Sequence, residues 1–279
     1  MVSNGVIRSF AVVINPVIFG YEKLCFLIVK NIDKTFKEQE VFKKVSLLGG
    51  VYSYSEHLGG AAIFALFAKD IAQDKIGILT DLLKPATLET AIATYGPVTM
   101  KIHSSDLVIM KCLLSDPRML VADIAKEASL SSKTVARRLE KMRENHVLQF
   151  IILANLSSLR LTGYTEFVVL IHVKISSYQN ILERIYRELQ EYLFGTFHWD
   201  IGTFQKEVIF AVFFGPNIST VNLILRRLES YEGVNKVELF ITTSFTFHTD
   251  WLKSEIDKRI ISQKYLSSSA AAATTKKDA

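Results

Sequence analysis

The stretch NGVIRSFAVVINPVIFGY at residues 4–21 decides the fold, because a variant of it, NHVLQFIILANLSSLRLTGY, returns at residues 145–164. Gly20 corresponds to Gly163 and Gly59 to Gly202, both at an offset of 143 residues. Repetition at a fixed offset indicates that the chain contains one structural unit twice.

Each Gly-Tyr pair is followed by the same succession of sequence patterns. A β-branched and aromatic run comes first, then a stretch with helical period, two alternating strands, a second helix and a last strand. In the first copy these elements are predicted at residues 21–30, 35–48, 51–57, 61–69, 70–83 and 87–93; in the second, at 164–174, 177–193, 196–200, 207–214, 219–231 and 234–245. This βαββαβ order is the ferredoxin-like split βαβ unit.

The segment between the copies is almost purely helical in period. Ser105 is expected to cap a first helix over residues 106–114, which Asp116-Pro117 ends. A second helix is predicted over 121–128 and a third from Ser131, followed by an exit of two strands at 147–153. These elements predict an α+β chain with a winged helix-turn-helix between two ferredoxin-like βαββαβ domains. The predicted boundaries are 1–103, 104–153 and 154–248, then a helix over 249–266 and a disordered Ser/Ala/Thr/Lys tail over 267–279.

The third helix, within SLSSKTVARRLEKMRENHV at residues 129–147, carries the candidate DNA-binding residues. Val135, Leu139 and Met142 form an apolar stripe, and residues 131–145 hold five basic side chains against two acidic ones. In a helix-turn-helix, the start of this helix reads bases while flanking groups hold phosphates. We expect base contacts from Ser132, Lys133 and Arg137, and phosphate contacts from Ser131, Thr134, Arg138 and Lys141. The alternative is that these cations only solvate a surface helix.

Arg118 follows the Asp-Pro break and has two interpretations. Its side chain contacts the DNA backbone, or it pairs with Asp116 or Asp123. The sequence favours neither.

The chain resembles the Lrp/AsnC family of prokaryotic transcription regulators, and archaeal members in particular. The resemblance is carried by DLVIMKCLLSDPR at 106–118, by DIAKEASLSSKTVARRLEKMRENHV at 123–147, and by the wing that ends at Gly163-Tyr164. The flanking copies resemble the family's ligand-sensing RAM domain, which gives the order RAM, winged helix-turn-helix, RAM. The resemblance implies a regulator that binds double-stranded DNA, assembles with itself, and responds to an amino acid or a similar small effector.

The chain departs from the family pattern at several places. Ser129 stands where the family has glycine in the turn, and Leu120-Val121 replace the capping residue of the second helix. The chain also begins at the wing, as if a first helix-turn-helix had been removed. For an effector, the resemblance points to the loop between the second and third strands, whose candidates are Gly59 and Gly60 in the first copy and Asp200 and Gly202 in the second. The alternative is that these glycines only make hairpin turns.

Composition bounds the remaining classes of function. The 279 residues are 49% hydrophobic and carry a net charge of +5, and the longest apolar run, residues 61–68, is too short to span a membrane. With no signal peptide, the chain is expected to be cytoplasmic, with no membrane partner and two reduced, buried cysteines. The six histidines lack the spacing of a metal site, and His172 is expected to be a satisfied core residue. Because nucleophile-elbow, Walker and Rossmann motifs are absent, we expect no enzyme and no cofactor.

One recognition helix cannot read a two-fold operator, so a homodimer or a higher even oligomer is expected. The two copies could pair with each other within the chain, or each with its counterpart in another chain. The longer, more apolar strands of the second copy favour the latter. Two other classes of function stay open: an architectural DNA-binding protein with little base readout, and a metabolic sensor whose helix-turn-helix contacts protein.

Overall fold

The structure is a computed structural model that describes residues 7–32, 38–94, 98–193 and 208–275. Its elements in chain order are β1 Ile7–Ile14, β2 Lys23–Lys30, α1 Glu38–Val45, β3 Gly50–His57, β4 Ala61–Ala68, α2 Gln73–Leu82, β5 Thr87–Thr94, α3 Ser104–Ser115, α4 Val121–Glu127, α5 Ser132–Glu144, β6 Leu148–Ala154, α6 Leu156–Leu161, β7 Thr165–Val173, α7 Tyr178–Leu189, β8 Val208–Gly215, α8 Ile218–Glu229, β9 Val234–Phe247 and α9 Asp250–Thr275. They form two compact units: residues 1–8, 21–96 and 154–248 make the sheet unit, and residues 9–20, 97–153 and 249–279 make the helical unit.

The sheet unit contains both copies of the repeat in one antiparallel sheet. Its seven described strands lie in the order β5-β2-β4-β3-β9-β7-β8, and the described strands of each copy follow the order of a βαββαβ unit. The strand predicted at 196–200 lies outside the described residues. β3 pairs with β9 in a register that joins Ser53 to Phe247 and Ser55 to Phe245. The two copies therefore belong to one unit, where the sequence suggested two separate domains.

The apolar faces explain why the copies pair within the chain. Alternate residues of β7 and β8, such as Phe167 and Phe213, are fully buried together with residues of α7 and α8. The opposite faces carry Val168 and Leu170, which pack with Ile28 and other residues of the first copy. The apolar strands of the second copy are thus buried by the chain's own first copy, and the favoured pairing with another chain is not what the structure shows.

The sheet is strongly curved. Phe26 on β2 and Phe210 on β8 stack with ring centroids 4.1 Å apart, although four strands separate β2 from β8 in the sheet. Side chains of successive residues point to opposite faces of a strand, so one face of this sheet packs on helices and the other faces an interior. We call that second face the inner face.

The helical unit packs α3, α4, α5 and α9 around a core that includes Leu107, Met110, Ile124 and Leu252, each fully buried. β6 pairs with β1. The N-terminal strand, which the sequence suggested was the wing of a lost domain, thus completes the wing of this one. We also expected Ser105 to cap α3, but the helix begins at Ser104 and its N-cap residue is His103.

The C-terminal helix is longer than expected. α9 runs from Asp250 to Thr275, whereas we expected disorder from residue 267 onward. Leu252 and Ile256 are buried, and Lys111 on α3 pairs with Asp257 at 2.6 Å, so the start of the helix is fixed by packing. A run of Ser and Ala without Gly or Pro can extend a helix that packing has already nucleated. Among the described residues, no helix is long and apolar enough to cross a membrane.

Candidate functional site

The turn before α5 has the conformation that a helix-turn-helix requires. Ser129 has a φ of +52°, and the N–H of Leu130 donates to the carbonyl of Ala125 at 2.9 Å. Ser131 caps α5 as predicted, because its Oγ accepts from the N–H of Thr134 at 3.1 Å. The serine in place of glycine thus occupies the left-handed region, where a side chain costs some stability.

α5 has one buried face and one basic face. Val135 and Met142 are fully buried, whereas Lys133, Arg137 and Lys141 are exposed. Ser132 is exposed at the first position of the helix. The arrangement can therefore present three cations and a hydroxyl to an anionic partner.

Arg138 differs from the other cations of α5, because its guanidinium turns into the unit. Its Nη1 donates to Oδ1 of Asp106 at 2.8 Å, and the Asp106 side chain is 0% exposed. The other carboxylate oxygen, Oδ2, accepts from the N–H of His103 at 2.9 Å and so caps α3. Arg138 was expected to hold phosphate. The buried carboxylate instead gives it an internal partner.

Ser131 and Thr134 are occupied by the capping hydrogen bonds of α5, and their hydroxyls also contact each other at 2.9 Å. The guanidinium of Arg118 lies over the ring of Phe10, with Cζ 5.0 Å from the centroid. The N–H of Arg118 donates to Oδ1 of Asp116 at 2.9 Å. Among the described residues, no ion pair joins the Arg118 side chain to Asp116, and Asp123 pairs with Lys126 at 3.5 Å.

The predicted effector loop is a hairpin turn in the first copy. Gly59 and Gly60 both have positive φ, at +86° and +74°, between β3 and β4. A conformation that only glycine adopts freely explains both residues without a ligand. Asp200 and Gly202 lie outside the described residues.

The inner face carries a row of buried polar groups that the sequence did not single out. His57 on β3 is 4% exposed and pairs across strands with Thr242 on β9, which is 1% exposed. His57 Nε2 lies 2.9 Å from Ser55 Oγ. Burial lowers the pKa of His57 to about 4, against smaller opposing effects of the Phe240 backbone and the Glu56 carboxylate. His57 is therefore neutral at physiological pH.

Glu166 on β7 belongs to the same row. Burial raises its pKa to about 7, which the Thr242 hydroxyl and the charge of Arg160 oppose. Arg160 on α6 is held by the carbonyls of Thr242 and Thr243. An acidic residue at an inward position of the apolar strand TEFVVLIHV was the signal that could have identified this row.

A second polar group on the inner face is fully paired. Glu238 receives Lys30 Nζ and His172 Nε2, each at 2.8 Å, and Lys236 at 3.1 Å. Burial opposes its ionisation, but hydrogen bonds from Lys30, Lys236 and His172 lower the pKa of Glu238 to about 2. His172 has a hydrogen-bond partner as expected, but its side chain is 31% exposed, so it is not the core residue that the sequence predicted. No group of three or more potential metal ligands occurs among the described residues.

The AsnC-type helix-turn-helix domain matches residues 104–143. No curated protein sequence matches the chain. Among solved structures, the siroheme decarboxylase NirDL is similar over 95% of this chain and 86% of its own, with 15% identity and a TM-score of 0.55. The same decarboxylase in complex with an iron-uroporphyrin III analogue gives 16% identity and a TM-score of 0.53, over 92% of this chain and 86% of that one. AsnC of E. coli gives 18% identity and a TM-score of 0.38, over 52% of this chain and 94% of its own.

The likeness to NirDL overturns our expectation that the chain is no enzyme, because a fold that spans nearly the whole chain also serves a decarboxylase. The exclusion rested on motifs for nucleophiles and nucleotide cofactors. Acid-base chemistry needs only single histidines and carboxylates brought together by the fold, which leave no such motif. A helix-turn-helix therefore does not by itself separate regulators from enzymes. Residues 104–143 of this chain are an AsnC-type helix-turn-helix domain.

Proposed function

We propose that this chain is a transcription regulator that binds double-stranded DNA by placing α5 in the major groove. The observation that carries the proposal is the basic face of α5, which exposes Lys133, Arg137 and Lys141 behind a capped start at Ser131. Cations at this position can reach guanine O6 and N7, which are the most common partners of arginine in specific recognition.

The residues of α5 divide into two roles. Ser132, Lys133 and Arg137 lie toward the start of the helix and would read base edges, whereas Lys141 lies a turn beyond Arg137 and would hold a phosphate. Ser131 and Thr134 would contact phosphates through hydroxyl groups that also take part in the cap of α5. Arg118 would contribute through a guanidinium that already rests on Phe10.

The test is selection of duplexes by the full chain from a random library, followed by footprinting of the selected sequence. Arg137→Ala should lose about 1–3 kcal/mol on the selected duplex and relax the preference at one base pair. Lys141→Ala should weaken the selected and a scrambled duplex alike. Lys126→Ala, at an exposed position on α4, is the matched control.

Each alternative gives a different result in this experiment. A ratio near one between selected and scrambled duplexes, with a steep salt dependence, would identify an architectural protein. If the chain binds no duplex, and charge reversal at Arg137 leaves its regulatory function intact, the chain is a sensor whose helix-turn-helix contacts protein. Either outcome would refute base-specific regulation.

Assembly and effector binding complete the proposal. A two-fold operator would require a homodimer or a higher even oligomer, which light scattering at several concentrations measures. An amino-acid-like effector would raise the melting temperature at saturating concentration, because a ligand that binds only the folded state stabilises it. A panel of free amino acids tests this, and the absence of any shift would leave regulation without an effector.

A second candidate function is binding and conversion of a carboxylated tetrapyrrole in the sheet unit. The observation that favours it is the likeness to NirDL across both units, together with the buried His57 and Thr242 and the half-buried Glu166, whose pKa is raised. Titration with siroheme should then perturb the visible spectrum of the tetrapyrrole and release carbon dioxide on turnover. An unchanged spectrum at micromolar protein would exclude this activity.

A further inference from the structure

The buried carboxylate of Asp106 links two helices that are distant in sequence. One oxygen accepts from the backbone at the start of α3, and the other accepts from Arg138 in the middle of α5. Asp106 is 0% exposed, so its charge faces no solvent, and Arg138 is the described cation that pairs with it. A buried carboxylate needs such partners, because an unpaired charge in the interior is strongly unfavourable.

The ion pair adds a directional polar contact to the packed face of α5. Val135 and Met142 hold this face by packing, and Arg138, three residues after Val135 and four before Met142, ties the same face to Asp106 on α3. Packing alone tolerates small rotations of a helix about its axis, because apolar contacts have little directional preference. A charged hydrogen bond of 2.8 Å is directional and therefore restricts such rotations.

Small rotations of α5 matter for base reading. A rotation of about 20° moves a side chain at roughly 5–6 Å from the helix axis by about 2 Å. Hydrogen bonds to base edges tolerate only a few tenths of an ångström, whereas long cations can follow a phosphate by changing rotamer. The neighbour of Arg138 in the chain is Arg137, the candidate base reader, so the loss of the ion pair would move it directly.

We propose that Asp106 and Arg138 are a positioning pair that sets the rotation of α5 for sequence-specific DNA binding, with no contact of their own to DNA. The proposal rests on the proposed function of α5. It assigns Asp106 a role in recognition although this residue is fully buried and negatively charged. It also replaces the phosphate contact first expected for Arg138.

The test compares three variants of the full chain on two duplexes: the one selected by the wild type, and a scrambled one of equal composition. Asp106→Asn keeps an oxygen for the His103 N–H and removes the charge, Arg138→Met removes the cation, and the double variant removes both. Each should lose at least about tenfold in affinity for the selected duplex and less than about twofold for the scrambled one. The double variant should lose no more than the single ones, because the pair acts as a unit.

The salt dependence separates positioning from a phosphate contact. A lost phosphate contact lowers the slope of log affinity against log salt by about 0.9 on both duplexes. The loss of a residue that only positions α5 leaves the slope on the scrambled duplex unchanged. A slope lowered by Arg138→Met but not by Asp106→Asn would therefore overturn the proposal and restore the phosphate contact.

Stability is controlled with Met142→Ala, which destabilises the same unit from the packed side of α5. Binding is measured well below every melting temperature, and Arg138→Lys provides the conservative rescue. If Met142→Ala loses the same selectivity as Asp106→Asn, the effect belongs to stability and positioning is refuted. If the wild type selects no duplex, the proposed function fails and the positioning role fails with it. If the wild type selects a duplex and Asp106→Asn binds that duplex with unchanged affinity, only the positioning role is refuted.

Discussion

Replacing Glu166 by glutamine should stabilise the sheet unit at alkaline pH and should do so several times less near pH 5. Burial raises the pKa of this carboxyl to about 7 in the folded chain, from an ordinary value of 4.5. The folded state therefore holds the proton more tightly than the unfolded chain. The stability that the protonated carboxyl contributes is fully present below pH 4.5 and is lost as the pH rises through about 7.

The size of the effect follows from the two pKa values. One pKa unit corresponds to about 1.4 kcal/mol, so ionisation of Glu166 costs the folded state about 3 kcal/mol at pH 8. Glutamine keeps the shape and cannot ionise, so it avoids this cost. It also loses the attraction of the carboxylate to Arg160, which makes about 3 kcal/mol an upper value.

The measurement is urea unfolding of wild type and Glu166→Gln at pH 5, 6, 7 and 8, followed by circular dichroism. His57 also titrates between the two states, but its contribution is common to both proteins and cancels in the difference. Glu22→Gln, at an exposed position of the same unit, is the matched control and should show no such trend. A stability difference that stays constant from pH 5 to pH 8 would refute the assignment of a buried, protonated carboxyl.

Three further changes test the packing described above. Ser131→Ala should cost about 1 kcal/mol in thermal unfolding of the helical unit, because the N–H of Thr134 loses its capping acceptor; Ser131→Asn should restore most of it. Gly233→Ala should cost more than about 1 kcal/mol, since Gly233 has a φ of +90° and a Cβ there would overlap the side chain of Ser177, and an unchanged melting temperature would contradict that geometry. Phe213→Ala should cost about 3–5 kcal/mol in urea unfolding, as its ring is fully buried, and a loss below 1 kcal/mol would show that the site collapses.

The repeat and the helix-turn-helix could be predicted because their signals are local. Apolar spacing, the serine cap at Ser131 and the Asp-Pro break each act within one or two turns of chain, and they placed α3, α4 and α5 within a few residues. The two copies of the repeat likewise have the predicted strands wherever the structure describes them.

The partners of these elements could not be predicted in the same way. Alternation of apolar residues shows which face of a strand is buried but not which strand lies beside it, so the β3–β9 pairing stayed open. Arg138 sits among cations on the helix, and only the fold brings Asp106, 32 residues earlier, to its guanidinium. His57, Thr242 and Glu166 come from three strands and share no motif, which is why the row on the inner face was missed.

The pairing of β3 with β9 has a consequence for how the sheet responds to dilution. When two separate chains build a shared sheet, its population depends on concentration, whereas a covalent link replaces concentration by a fixed effective value. Here the joined sheet should persist at nanomolar protein. The link also removes the symmetry of a homodimer, where every substitution appears twice. His57 and Glu166 can each change alone, so the two halves are free to specialise.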